Sequence, residues 1–127
     1  MARWGSISAT AARAMASSPR LTAEFWVRAY LARLRLADIP AFVVARGDAT
    51  AGAVLVKLAT LDGRARVFQR GLDPATGARR WMVLAEGEEA GVEAVIARAR
   101  RNDPDLWVIE IEDRAGRTLL DEPGLSE

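Results

Sequence analysis

Residues 53–69 read AVLVKLATLDGRARVFQ. The first nine positions are apolar almost without a break, the pattern of a central strand covered on both faces. Asp62-Gly63 follows, a dipeptide that favours a tight hairpin turn because it tolerates the positive φ such turns require. Residues 65–69 then return as a second strand, and Arg64, Arg66 and Arg70 share one of its sides. A buried hairpin of this kind commits the chain to a sheet, so the flanking segments must supply its neighbours and its cover.

Upstream, AFVVA at 41–45 has the β-branched and aromatic content of a strand, and GDATAG at 47–52 is a loop. Before them lies a helix capped by Thr22 that runs to about residue 37 and stops ahead of Pro40. At 100° per residue, Phe25, Ala29, Ala32 and Leu36 form the face expected to meet the sheet, with Glu24, Arg28 and Arg35 toward water. Trp26, Val27, Tyr30 and Leu34 fall on the flanks. This apolar arc exceeds what one sheet face covers, so Trp26, Tyr30 and Leu34 are candidates for an interface. The cover is expected from a second copy of the chain, or from Ile7 and Met15 of the N-terminal segment.

Downstream, 70–79 reads as a loop, 80–85 as a strand and 88–102 as a helix with Val92, Val95, Ile96 and Ala99 on its core stripe. Acids open that helix and arginines close it, complementing its dipole. Residues 106–112 form a strand with Trp107, Ile109 and Ile111 on one face, 113–116 a turn, and 117–120 a short sixth strand. The expected fold is α+β: a two-layer sandwich with a mostly antiparallel sheet of five to six strands and two helices on one face, in the order α-β-β-β-β-α-β(-β). The last strand follows a helix and can therefore pair parallel to a neighbour. Residues 1–20 are expected to form a flexible arm, 21–121 a single domain, and 122–127 a frayed tail.

The 127 residues include no cysteine and no histidine. Disulfides, thiolate nucleophiles, His-based triads and Cys- or His-ligated metals are excluded. No cofactor is expected. The formal charge of +1 hides an asymmetry: residues 1–80 carry a net +8 and residues 81–127 a net −7. The halves are expected to neutralise each other in one fold, so a nucleic-acid role is disfavoured, and no RRM, KH or OB signature is present. Seventeen of the eighteen basic residues are Arg and 25 residues are Ala, a pairing typical of GC-rich coding. No apolar stretch reaches the ~20 residues of a membrane span, and a cytoplasmic location is expected.

Two places carry chemistry worth weighing. GDATAG lacks the Gly-Lys-Ser/Thr ending of a phosphate loop and precedes a strand, so it reads as a structural loop with Gly47 and Gly52 supplying unusual backbone angles. A ligand reading would use Arg46, Asp48 and backbone N–H groups. Lys57, the only lysine, sits inside the most apolar strand. Its stem is expected to lie along the sheet with the ammonium reaching water; the functional alternative is a desolvated amine of lowered pKa. Glu110, Glu112 and Asp113 gather carboxylates near the end of the last strand, without the third ligand or spacing of a metal site.

LTAEFWVRAYLARL (21–34), RGDATAGAVLVKL (46–58) and DPDLWVIEIEDRAGRTLLD (103–121), in this order, resemble a small bacterial family, the domain of unknown function numbered 1491. The resemblance covers residues 21–121. It implies a compact, bacterial, cytoplasmic single domain and brings no activity, cofactor or catalytic residue with it. Without a recognisable catalytic motif, the expected function is a non-enzymatic protein-interaction module, through a protein partner or self-association as a homodimer. A small-ligand-binding protein or enzyme, and a nucleic-acid-associated protein, are the alternatives.

Overall fold

The computed structural model describes residues 21–126; the expected arm, 1–20, lies outside them. Helix α1 (Ala23–Leu36) precedes strands β1 (Ala41–Ala45), β2 (Val54–Ala59), β3 (Arg64–Leu72) and β4 (Arg79–Glu88), followed by helix α2 (Glu89–Asn102) and strand β5 (Trp107–Glu112). The fold is α+β, with the order read from the sequence. The five strands form one sheet in the order β1-β5-β2-β3-β4. Only β2 and β5 pair in parallel; the other three pairings are antiparallel. The last strand thus enters between β1 and β2, which follow each other in the chain but do not pair.

The two helices lie on opposite faces, which corrects the two-layer expectation. Val56, Leu58, Trp107, Ile109 and Ile111 pack with Trp26, Val27, Tyr30 and Leu34 of α1. The alternate residues Leu55, Val67 and Val108 pack with Val92 and Ile96 of α2. Successive strand residues point to opposite faces, so the sheet is the middle of three layers. The physical reason is in β2 and β5: their opening apolar runs, Val54–Val56 and Trp107–Ile109, present greasy surface both ways, and each helix covers one side.

Helix α1 is also rolled relative to expectation. Trp26, Tyr30 and Leu34 are 5%, 0% and 0% exposed, whereas Phe25 and Leu36 are 55% and 86% exposed. A face of Phe25, two alanines and Leu36 is too small to fill the space above β2 and β5. The aromatic flank has the required volume and takes it.

Three further expectations change. Strands β3 and β4 run on to Leu72 and back to Arg79, so the loop shrinks to 73–78, and a register shift lies at Val67/Phe68. Residues 117–120 are not a strand. The tail is not frayed through Ser126: Leu120 and Leu125 are buried in the α1 cluster. Trp81 Nε1 donates to the Leu125 carbonyl (2.9 Å) and Arg33 Nη1 to the Pro123 carbonyl (2.8 Å). Tyr30 donates its hydroxyl to the Thr118 carbonyl at 2.8 Å. The tail fills the flank of α1 that the sheet leaves open.

Candidate functional sites

The loop at 46–53 must cross the beginning of β5 to carry the chain from β1 to β2. It does so in close contact. Asp48 N–H donates to the Asp105 carbonyl (2.9 Å), Trp107 N–H to the Ala53 carbonyl (2.8 Å) and Trp107 Nε1 to the Asp48 carbonyl (2.8 Å). A Cβ on Gly47 would stand 2.2 Å from the Asp105 carbonyl oxygen, and one on Gly52 2.5 Å from it. Neither glycine has positive φ, so close approach is their role, not the unusual backbone angles expected from sequence. The loop also finishes α1: Ala23 and Glu24 N–H donate to the carbonyls of Thr50 and Ala49, and Phe25 N–H to Thr22 Oγ1.

The polar groups here are already engaged. The Asp48 carboxylate accepts from Thr50 and Ala51 N–H at 3.2 and 2.8 Å. Arg46 pairs with Glu24 and lies 5.0 Å from the Trp107 ring centroid. The Arg46 guanidinium beside Glu24 lowers that carboxyl's pKa. Arg46 and Asp48 therefore serve the loop, and the structure does not bring Lys57 to them.

Lys57 lies on the α2 face of β2, with its side chain 3% exposed. Its ammonium does not reach water as expected. It donates to Glu89 at 2.6 Å, to Glu93, and to Glu110 at 3.4 Å. Glu89 and Glu93 are one helical turn apart on α2, and Glu110 is the register partner of Lys57 across the parallel pairing. Burial alone works against the charge, but the hydrogen bonds that the ammonium donates to Glu89 and Glu93 and the charge of Glu110 outweigh it, and the net shift is upward. This is the reverse of the lowered pKa that nucleophilic or general-base chemistry needs. Sequence reading singled out Lys57 and Glu110 separately and allowed the last strand a parallel neighbour, but neither the choice of β2 nor the register that joins the two residues had a signal. Among the described residues no cluster of His, Cys, Asp and Glu is arranged to hold a metal.

A cleft of about 1040 Å³ opens where α1 begins and β4 starts, lined by Trp26, Leu55, Arg70, Trp81, Leu84 and Leu106 among others. Trp26 stacks tilted against Tyr30 and Trp81 with centroids 4.9 and 5.3 Å away, and the Arg70 guanidinium lies over both tryptophans. The Trp26 indole N–H is buried without a hydrogen-bond partner. Trp26, Tyr30 and Leu34, expected at an interface, are instead the inner wall and core.

What α1 shows to solvent is the set once assigned to the core: Phe25, Ala29, Ala32 and Leu36. Ala29 is half-buried and Ala32 exposed. Arg28 and Arg35 edge this stripe, and neither forms a salt bridge among the described residues; Arg33, on the far edge, pairs with Glu122 at 3.5 Å. No helix among the described residues is long and apolar enough to cross a membrane.

Fold and surface together define a small three-layer α+β domain with a buried, carboxylate-paired Lys57 and an apolar stripe on the outer face of α1, beside further exposed apolar side chains such as Phe42 and Val44 on β1. The chain belongs to the DUF1491 family, described as "Protein of unknown function (DUF1491)", whose model matches residues 21–121. A crystal structure of a DUF1491 family protein from Caulobacter crescentus CB15 shares 43% identity with a TM-score of 0.73, covering 82% of this chain and 98% of that one. An NMR structure of a DUF1491 family protein from the same organism gives 44% identity and 0.69, over 81% and 94%. The solution structure of protein Atu0922 from A. tumefaciens gives 33% and 0.63, over 73% and 86%. No curated protein matches the chain.

Proposed function

We propose that this domain is a non-enzymatic protein-interaction module of the bacterial cytoplasm, and that the outer face of α1 is its contact surface. The observation that carries the reading is the inversion of α1. The helix holds Trp26, Val27, Tyr30 and Leu34 against the sheet and still presents Phe25 and Leu36, 55% and 86% exposed, on the other side. Two large apolar side chains on one exposed helical stripe cost solubility unless something covers them. The self-association expected through Trp26, Tyr30 and Leu34 is not available to buried side chains, so a partner that docks on α1 would have to meet its opposite face.

The test compares the full chain with Phe25→Ser/Leu36→Ser, which removes the stripe at exposed positions. Both proteins should melt at the same temperature within a few degrees. Cross-linking in the native host should give a discrete adduct with the wild-type chain and none with the variant. Identical adducts from both would refute the stripe as the contact surface.

A second reading, a small-ligand site, rests on the cleft walled by Trp26 and Trp81, whose aromatic lining suits an apolar ligand. Adding members of a fragment set should shift the Trp26 indole N–H resonance. If no member moves it, this reading fails.

A further inference from the structure

Resting on the interaction reading above, we infer that the partner of α1 is an acidic amphipathic helix of another protein, and not a second copy of this chain. The argument is one of charge and shape. Phe25 and Leu36 stand eleven residues apart on α1, about 16 Å along its axis. Between them Ala29 and Ala32 leave a shallow dip, into which a bulky apolar side chain of a facing helix fits as a knob.

The edges of the stripe decide the sign of the partner. Arg28 and Arg35 lie two turns apart along one edge, and Arg33 lies on the other. The single acid of α1, Glu24, is held by Arg46 at the helix start. A second copy packed antiparallel would set this basic edge against its own equivalent, and one packed parallel would set it against the Arg33 edge; in both, arginine meets arginine, and like charges at an interface edge oppose association. A helix with leucines on one face and glutamates beside them reverses the sign at every edge position. It meets Arg28 and Arg35 with charge-assisted hydrogen bonds while its apolar residues cover Phe25 and Leu36.

The experiment uses the full chain and two synthetic helical peptides of about 20 residues. Both carry leucines at i, i+3, i+4 and i+7; one is flanked by glutamates and the other by lysines. Fluorescence anisotropy at ~150 mM salt should show binding of the glutamate peptide only. Arg28→Glu/Arg35→Glu should weaken that peptide about tenfold and admit the lysine peptide. Phe25→Ser/Leu36→Ser should abolish binding of both with an unchanged melting temperature. Equal binding of the two peptides, or a preference that charge reversal leaves in place, overturns the acidic partner while leaving the stripe as a contact surface. A dimer of the full chain in sedimentation, lost in Phe25→Ser/Leu36→Ser, does the same. A monomer that binds neither peptide overturns the acidic partner and removes the support for the interaction reading with it.

Discussion

At the scale of single residues, Lys57 shows how a buried charge is kept. Its three carboxylates are themselves partly exposed, with Glu89 and Glu93 side chains 43% and 53% accessible, so they bring the ammonium an outlet toward solvent. Lys57→Met removes the cation and leaves Glu89, Glu93 and Glu110 facing one another. Unfolding in urea should show a loss of about 2–3 kcal/mol, below the figure for a fully buried pair because the two α2 carboxylates can turn to water. Lys57→Met/Glu110→Met should recover most of it, since an apolar pair of similar volume suits the site. Lys57 and Tyr30 also shape the alkaline limit. Both are raised in the folded state, from ordinary values of 10.5 and 10.0, Tyr30 by burial and Lys57 by its acids. Above those values the unfolded chain sheds a proton that the folded chain keeps. The stability each supplies is therefore complete below about pH 10 and declines as pH rises, by up to ~1.4 kcal/mol per pH unit per group. Denaturation midpoints measured between pH 9 and 12 should fall steeply for the wild type and less so for Tyr30→Phe.

At the scale of elements, the 46–53 loop is a bridge whose clearance is set by two glycines. Gly47→Ala would drive a methyl into the Asp105 carbonyl, and displacing that carbonyl disturbs the Asp48 and Trp107 hydrogen bonds together. A loss of about 3 kcal/mol is expected by thermal or urea unfolding, against a gain of up to ~1 kcal/mol for Gly91→Ala, a helical position where a Cβ meets open space. A Gly47→Ala protein as stable as wild type would mean that the bridge relaxes freely. The elements themselves were legible from residue patterns: the capped helix at Thr22, the central strand around Lys57, the Asp62-Gly63 turn and the apolar stripe of α2. Their faces were less so. Alanines made the Phe25–Leu36 stripe look as apolar as the Trp26–Tyr30–Leu34 flank, and periodicity counts positions without weighing volume, so the outer face passed for the inner one. The acid cage of Lys57 was invisible because it depends on which strands pair, and GDATAG gave its glycines without the strand they step over.

At the scale of the whole molecule, the tail closes the core. Leu125 is 1% exposed and its carbonyl accepts from Trp81. Leu125→Ala should cost about 2–3 kcal/mol in urea unfolding, the range for emptying a buried leucine site. Wild-type stability in that variant would show that the tail merely rests on the surface. The placement of β5 has a consequence of another kind, in time. Among the described residues β1 has β5 as its only neighbour in the sheet, and β5 is the last of the five strands to be synthesised. Until it leaves the ribosome, β1 has no strand to pair with, the glycine bridge spans a gap, and α1 has only half of its floor. The nascent chain can assemble β2, β3, β4 and α2 in order, but the α1 layer must wait for the last strand. Birth of the domain is thus a late, single event: stalled chains that expose residues up to 105 should be protease-sensitive across α1 and β1, and those that expose the whole chain should resist.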